Sequence, residues 1–300
     1  MISEYIDKGL PKSRILVLLK IPRSTYYHSS PALQLQRGRK RSLTTEKLSG
    51  SESIAVTGDQ LLEEITDLLS GEFVCYGYKK ATRHLQRSGY QINRKKVYHI
   101  LKDNHLLNHR YNYRSPAKRV VESIVRVRSP NEVWEMDIKY VYIQGENRTV
   151  YLFAIIDCFS REVVGKHLGY HCSSRDVKMA MDFAFLERGI QAISKVRIRS
   201  DNGTQFTSRI VDLFLSTRNI AHERIHPATP KEDAHIESFN SILEKEVIRR
   251  FEFSSFEDAE NTISRFIAFY NNERLHSAID YRTPREVYEK WKENTIEGSA

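Results

Sequence analysis

The sequence has few of the features that would place a protein in a membrane, in an oxidising compartment or on a structural zinc ion. Its 300 residues include three cysteines, an odd number, with no CxxC spacing among them. Such sparse cysteines argue against a disulfide framework and against a zinc site. We expect them to be small, buried, apolar side chains. No apolar run approaches the ~20 residues that cross a bilayer, and no signal-peptide pattern follows Met1. We therefore expect a cytoplasmic protein with no membrane partner.

Charge is distributed unevenly along the chain. Residues 1–128 carry 24 Lys and Arg against 11 Asp and Glu, whereas residues 129–300 carry 23 against 27. Between residues 73 and 128 the basic side chains outnumber the acidic ones by 14 to 2, which is hard to explain as a solvated face alone. A basic front half joined to a mildly acidic back half predicts DNA binding followed by chemistry.

Three acidic residues in the back half lie in contexts that could bring them together. Asp137 interrupts a run of β-branched and aromatic residues over Val133–Ile143, a pattern that predicts a strand. Asp201 ends a second strand-like run and precedes an Asn-Gly turn pair. Glu237 lies in a segment whose apolar residues recur at helical spacing. Two strands and one flanking helix can direct these carboxylates to one point.

Converging carboxylates repel one another, and proteins keep them together mainly to hold hard divalent cations. Mg²⁺ prefers oxygen ligands and is usually held by one or two carboxylates together with substrate phosphates. Two such ions can activate an attacking oxygen and stabilise a leaving one at phosphorus. The alternative is three unrelated surface acids, because the chain contains 38 Asp and Glu residues. The local contexts favour a shared metal site.

Composition and periodicity divide the chain into six segments. From residue 129 onward the pattern turns α/β, with three meandering strands before alternating helices and strands, which predicts a mixed sheet flanked by helices. The predicted segments are a partial helix-turn-helix or basic tail (1–28), a linker (29–57), a helix-turn-helix DNA-binding domain (58–108), a basic connector (109–128), the catalytic core (129–250) and a C-terminal helical extension (251–300).

Residues 58–108 have the pattern of three helices. Asn93 is placed to cap the third, whose first turns are rich in basic side chains. This layout is that of a helix-turn-helix whose last helix enters a DNA groove, and a small helical bundle with a basic face is the alternative. The candidate DNA contacts of the front half are basic residues of this unit, expected to point outward, and of the connector after it: Lys79, Lys80, Arg94, Lys95, Lys96 and Arg114.

A set of short motifs occurs along the chain at characteristic spacings. Asp201 and Glu237 are separated by 35 residues. The surrounding motifs are Trp134-x-x-Asp137, Asp157-x-x-Ser160-Arg161, Ser200-Asp201-x-Gly203-x-x-Phe206, Glu237-Ser238-Phe239, Tyr270-Asn271-x-x-Arg274-x-His276, Thr283-Pro284 and, upstream, Tyr76-Gly77-Tyr78. This combination resembles the second-frame (orfB) transposases of bacterial insertion sequences, which belong to the retroviral-integrase-like DDE recombinases.

The resemblance implies a fold, a cofactor and partners. The fold is an α/β ribonuclease H-like core, a mixed five-stranded sheet flanked by helices, preceded by a small all-α helix-turn-helix region. The cofactor is two Mg²⁺ or Mn²⁺ ions per active site, with Asp137, Asp201 and Glu237 as both metal ligands and catalytic residues. The partners are double-stranded DNA, as element ends and as target, and further copies of the chain. Because residues 1–28 are short, an upstream-frame product is a further candidate partner, and the protein is expected on the nucleoid when bound to DNA.

Two places depart from the family pattern. Glu232 and Asp233 stand where members often have Asp-Asn. Glu244 stands where many members have a Lys or Arg that is thought to contact DNA, and Lys245 follows one residue later. A small rotation would let Lys245 take over that contact.

Several residues near these motifs have two interpretations each. Asn202 approaches the scissile phosphate or only shapes the turn, and the turn role is favoured. Arg274 and His276 bind DNA or pack the C-terminal helix, and the sequence does not separate the two. His226 and His235 contact DNA or assist proton movement, although a polar lining is favoured.

We interpret the sequence as a DNA transposase whose front half binds the ends of an insertion sequence and whose core cleaves and joins strands with metal ions. A binding-only regulator built on a decayed core is one alternative, and the intact acidic triad argues against it. A nuclease that cuts without joining is another, and the basic front half and the C-terminal motifs favour joining.

Overall fold

A computed structural model describes residues 2–7, 9, 11–22, 44–50, 52–108, 127–190, 196–224 and 234–297. The chain divides into two compact units, Met1–Leu43 and Thr44–Ala300. Within the described residues, no helix combines the length and the apolar character needed to cross a bilayer.

The first unit contains two short helices, α1 (Ile2–Asp7) and α2 (Lys12–Leu18). Helix α2 forms where the apolar periodicity predicts a helix, and it buries Ile15 and Leu16. The part of the predicted partial helix-turn-helix that follows residue 22 lies outside the described residues.

The second unit begins with a β-hairpin, in which β1 (Thr45–Ser49) pairs antiparallel with β2 (Glu52–Val56). This hairpin corrects the expectation that residues 29–57 are a linker throughout. The polar composition of the segment hides its structure because its partners lie far along the chain. Leu48 N, for example, donates a 2.9 Å hydrogen bond to the carbonyl oxygen of Gly89.

Three helices follow the hairpin as predicted: α3 (Gly58–Ser70), α4 (Tyr78–Arg87) and α5 (Arg94–Asp103). The Asn93 side chain accepts a 3.0 Å hydrogen bond from the backbone N of Lys96 and so caps α5. We refer to residues 58–108 as the helical unit. Its own core is formed by buried aliphatic side chains, which include Leu61, Ile65, Leu85, Val97 and Leu101.

The back half contains one five-stranded sheet, built from β3 (Val133–Ile143), β4 (Arg148–Asp157), β5 (Val163–Gly169), β6 (Arg197–Ser200) and β7 (Ala221–Arg224). The spatial order is β5-β4-β3-β6-β7. The first three strands form an antiparallel meander, and β6 and β7 join it parallel to β3. The predicted mixed five-stranded sheet is confirmed.

Helices cover both faces of this sheet. The first face packs against α6 (Ser174–Glu187) and α7 (Arg209–Ser216), and the second face packs against α8 (Ala234–Leu243) and α9 (Phe256–Asn272). Strand alternation divides β3 between the two cores, with Trp134 in the first and Val141 in the second. Trp134 is fully buried and stacks on Phe185 at a centroid distance of 5.1 Å, which confirms its predicted core role.

Two features extend the second face. Helix α8 continues into one turn of π-helix over Glu244–Ile248. After α9, a 3₁₀ turn (Ser277–Ile279) leads to α10 (Pro284–Glu297), which begins at the proline predicted for its first position.

The helical unit is packed against the back half through the loop between α3 and α4. The Phe73 ring lies in the core of the sheet's second face, 5.5 Å from the Phe266 ring. The buried Tyr76 hydroxyl accepts a 2.9 Å hydrogen bond from Leu275 N, near the C-terminal end of α9. These contacts join the front and back of the second unit into one body.

Candidate active site

Strands β3 and β6 hold two of the three predicted carboxylates side by side. The strands run parallel with Met136 opposite Ser200, so Asp137 and Asp201 are the next residues on neighbouring strands. Neighbouring strands lie ~4.8 Å apart, which is within the span of a shared ligand. Asp137 is half-buried and Asp201 is exposed.

Helix α8, which carries the third predicted carboxylate, packs against β3. Asn240 donates a 2.8 Å hydrogen bond from Nδ2 to Oδ2 of Asp137, so this face of α8 lies over β3. Glu237 precedes Asn240 by three residues and therefore lies on the same helix face. Its side chain is exposed in the first turn of the helix. The three carboxylates thus lie on three adjacent elements, and their assignment as metal ligands stays a prediction.

Backbone donors orient the two aspartates. Oδ1 of Asp137 accepts from Ile138 N at 2.8 Å, and Oδ1 of Asp201 accepts from Gly203 N at 2.9 Å. A Cβ atom at Gly203 would lie 2.4 Å from Nε2 of Gln205 and 3.0 Å from Oδ1 of Asp201. A larger residue at this position would require the Gln205 side chain to move and would crowd the Asp201 carboxylate.

A fourth acidic residue, Glu135, lies two positions before Asp137 and on the same face of β3. It is fully buried, and its Oε2 accepts hydrogen bonds from the backbone N of His235 and of Ile236, both at 2.9 Å. These donors belong to the first turn of α8 and have no partner within the helix, so Glu135 caps α8. Burial raises the pKa of the Glu135 carboxyl, and the hydrogen bond from Ile236 opposes that shift. No motif in the sequence marks Glu135, although strand alternation places it on the same face of β3 as Asp137.

Glu135 also forms a group of potential metal ligands with Cys158 and His235, whose ligand atoms all lie within 4.8 Å of one another. Nη1 of Arg199 is 3.7 Å from Oε1 of Glu135, and the N-terminus of α8 adds positive potential. Burial raises the pKa of the Cys158 thiol well above its usual value, which disfavours a thiolate ligand. We assign this group to the packing of α8 rather than to a metal ion.

The Asp157-to-Arg161 motif is a structural turn between β4 and β5. Asp157 is fully buried and accepts hydrogen bonds from Ser160 Oγ at 2.7 Å and from Phe159 N at 3.2 Å. Arg161 adopts the left-handed conformation with φ of 67°, and its N donates to the Asp157 carbonyl oxygen. The motif therefore fixes the end of the strand that pairs with β3.

Arg274 and His276 lie in a buried network. Arg274 donates from Nε and Nη2 to both carboxylate oxygens of Glu246, at 2.7 and 2.6 Å. Its Nη1 donates to Nε2 of His276 at 3.2 Å. Burial, and next the charge of Arg274, lower the pKa of His276 to about 2, so the imidazole is neutral. These surroundings favour the packing interpretation over direct contact with DNA.

Part of the predicted DNA-binding surface of the helical unit is exposed. Lys79, Arg94 and Lys95 are open to solvent. Lys79, Arg83 and Arg94 line a groove of about 370 Å³ between α4 and α5. A basic groove of this kind suits a phosphate backbone.

Other residues predicted to contact DNA point into the protein or lie outside the described residues. Lys96 is half-buried and donates from Nζ to the Thr44 carbonyl oxygen at 2.8 Å. The expectation that Lys80 points outward is corrected, because its Nζ lies over the Tyr76 ring and burial lowers its pKa to about 8. Outside the described residues lie Arg114, His226, Glu232 and Asp233.

Glu244, at the position where family members often carry a base, is engaged in ion pairs. Its Oε2 lies 3.0 Å from Nζ of Lys139, and its Oε1 lies 3.1 Å from Nε of Arg249. Lys139 follows Asp137 by two residues on the same face of β3. Asn202 and Lys245 are exposed. The positive charge beside the carboxylates is therefore supplied by the strand as well as by the helix.

Comparisons with known proteins indicate the family of the chain. Two family models described as the integrase core domain match residues 127–230 and 218–284, which together span just over half of the chain. The transposase for insertion sequence element IS904 of Lactococcus lactis is 28% identical over 236 residues, covering 72% of this chain and 88% of that protein. The putative transposase InsK for insertion sequence element IS150 of Escherichia coli K12 is 25% identical over 285 residues, covering 92% of this chain and 93% of that protein.

Among solved structures, the catalytic core domain of HTLV-2 integrase in complex with magnesium is similar to part of this chain. Its sequence is 19% identical, and the match covers 54% of this chain and 99% of the integrase chain with a TM-score of 0.43.

Proposed function

Because this chain belongs to the integrase core family and, within it, to the transposases of bacterial insertion sequences, we propose that its carboxylate cluster cleaves and joins DNA at the ends of such an element. The proposal is supported by the placement of Asp137, Asp201 and Glu237 on neighbouring elements, since β3 pairs parallel with β6 and Asn240, on the Glu237 helix, donates to Asp137. Fold similarity alone does not identify a reaction, whereas three carboxylates on one side of a basic protein suit phosphodiester chemistry.

The donor set fits hard divalent cations. Asp137 and Asp201 offer oxygen ligands from neighbouring strands, and each has one oxygen oriented by a backbone donor. Mg²⁺ and Mn²⁺ prefer such ligands over thiolate or imidazole. When bound, two ions supply activation of the attacking oxygen and stabilisation of the leaving oxygen at phosphorus. Asp137, Asp201 and Glu237 would hold these ions.

The chain's other residues hold these ligands and approach the DNA. Asn240 restrains the Asp137 carboxylate by its 2.8 Å hydrogen bond. Lys139 lies two residues along β3 from Asp137, and its ammonium pairs with Glu244. No serine or tyrosine nucleophile is required, since a water molecule or a DNA 3′-hydroxyl attacks directly.

The basic helical unit binds the element ends in this proposal, through the groove lined by Lys79, Arg83 and Arg94. One chain has one such carboxylate cluster among its described residues, so the handling of two ends requires at least two copies of the chain. Cooperation with an upstream-frame product stays a prediction.

The test is strand cleavage and joining on DNA that carries the element's own ends, with Mg²⁺ or Mn²⁺. We expect Asp137→Asn and Glu237→Gln to reduce both activities by about 100-fold or more, because metal-held charge contributes several kcal/mol to the transition state. Binding to the ends, measured by gel shift, should persist. Asp212→Asn is the matched control, because Asp212 is an exposed residue on α7 that pairs with Arg224.

Three results would separate the competing functions. End binding without cleavage by the wild-type chain would favour a regulator, or a chain that needs its upstream-frame product. Cleavage without joined product would favour a nuclease. Equal activity in the wild-type chain and the Asp137→Asn variant would remove the carboxylate cluster from the chemistry.

A further inference from the structure

Strand β3 presents three polar side chains to helix α8 at alternate positions: Glu135, Asp137 and Lys139. Each has a partner on the helix or on its π-helical continuation. Glu135 accepts from the backbone of the first turn, Asp137 accepts from Asn240, and Lys139 pairs with Glu244. The partners advance along α8 in the same order as the strand residues, so helix and strand run in the same direction.

The spacing of these contacts matches on the two elements. Two residues of a strand advance by ~6.7 Å, and four residues of an α-helix advance by ~6 Å. The Glu135 contact is to the backbone N–H groups of residues 235 and 236, and the other two contacts are to side chains at positions 240 and 244, four residues apart on one helix face. A slip of one helix residue would turn Asn240 and Glu244 by ~100° and would break both of their contacts. The contacts therefore define one register of α8 on β3.

Glu237 lies between the first and second of these contacts. Its distance from Asp137 and Asp201 is consequently set by the register of the helix, and its own side chain is exposed and long. We propose that Glu135 and the Lys139–Glu244 pair are positioning residues that hold Glu237 against the two aspartates and thereby set the affinity of the site for divalent metal ions. This inference rests on the proposed function.

The structure separates this role from a simple charge effect. Lys139 and Glu244 are both partly exposed, with 30% and 27% of their side-chain surface accessible, so loss of the pair should leave the fold intact. If only net charge mattered, Glu244→Ala would weaken the binding of a divalent cation and Lys139→Ala would tighten it. If the pair holds the helix, Glu244→Ala and Lys139→Ala should both weaken metal binding.

The experiment is calorimetric titration of Mn²⁺ into the full chain without DNA. We expect Glu135→Ala, Lys139→Ala and Glu244→Ala to weaken Mn²⁺ binding by about 10-fold or more, the usual effect of losing a residue that orients metal ligands. Glu135→Gln keeps an acceptor oxygen for the helix and should stay near wild type. The exchanged pair K139E/E244K should recover most of what either single reversal loses. Lys178→Ala is the matched control, because Lys178 pairs with Asp182 at 2.7 Å on α6, across the sheet.

Glu135 is buried, so a second measurement guards against a folding defect. Hydrogen exchange should accelerate at the amides of residues 235 and 236 in Glu135→Ala, while the amides of β3 stay protected. Wild-type affinity in Glu135→Ala, or unchanged or tighter Mn²⁺ binding in Lys139→Ala, would overturn the positioning role. Mn²⁺ binding that Asp137→Asn leaves unchanged, or no saturable binding by the wild-type chain, would instead contradict the proposed function itself.

Discussion

Replacing Arg274 by methionine should lower the free energy of unfolding of the second unit by about 3–5 kcal/mol. Arg274 and Glu246 form a bidentate pair in which only 5% and 9% of the side-chain surface is accessible. Removal of the guanidinium leaves the Glu246 carboxylate buried without its compensating charge. The loss also removes the donor to Nε2 of His276, so the network cannot close in another way.

Replacing both residues together distinguishes the net contribution of the ion pair to stability from the destabilisation caused by removing only one partner. Exchange of a buried ion pair for apolar residues of similar volume is often neutral or stabilising, by up to ~4 kcal/mol. Arg274→Met combined with Glu246→Leu should therefore be less destabilising than either replacement alone. Two independent contributions would give the sum of the single effects instead.

Urea unfolding of the full chain measures these differences, with the midpoint and the slope determined for each variant. Arg265→Met is the control, because Arg265 pairs with Glu72 at the surface, where 58% and 42% of the side chains are accessible. A surface pair contributes at most ~1 kcal/mol. The reasoning is refuted by an Arg274→Met variant that loses no more stability than Arg265→Met, or by a double variant that loses the sum of the singles.

Two further predictions concern single side chains. His276 stays neutral in the folded chain down to pH of about 2 because of its burial and of Arg274, whereas in the unfolded chain it binds a proton below about pH 6.5. The unfolded state therefore binds more protons between these values, and stability falls with falling pH by at most ~1.4 kcal/mol per pH unit. His276→Gln should remove this slope when urea unfolding is compared at pH 7.5 and 5.0, and an unchanged slope would exclude His276 as its source. Asn93→Ala should cost ~1 kcal/mol by removing the cap of α5, and thermal melts in which Asn93→Ala matches wild type would contradict the capping role.

Much of the back half follows from local pattern. Val133–Ile143 forms as predicted because β-branched and aromatic residues favour a strand, and its successive residues reach the cores on opposite faces of the sheet. The helix that carries Glu237 forms because its apolar residues face the sheet core. Predicted carboxylates on three separate elements could be placed together because parallel strands and a flanking helix leave few arrangements.

The features that could not be predicted from the sequence depend on contacts between residues that are distant along the chain. Glu135 is followed by its partners on α8 100 residues later, and no local pattern marks it as a helix cap. Arginine is usually found at the surface. Arg274 is buried because its guanidinium pairs with Glu246, which lies in the π-helical turn. Lys80 faces inward because the loop beside it carries Tyr76 into the back half. Each case was decided by tertiary contacts rather than by propensity.

The docking of Phe73 and Tyr76 into the back half has a consequence for the DNA itself. The proposed DNA-binding surface on α5 and the proposed carboxylate site belong to one compact unit, and the contacts of Phe73 and Tyr76 with the back half limit the distance between them. In the proposed function, the bond that is cut lies a fixed number of base pairs from the sequence that is read. Insertion of about five base pairs between them would turn the duplex by half of its ~10.5-base-pair repeat and present the wrong side of the helix to the carboxylates. In that case the fold of the protein sets the spacing between the recognised sequence and the cleaved bond, in addition to the recognition by side chains.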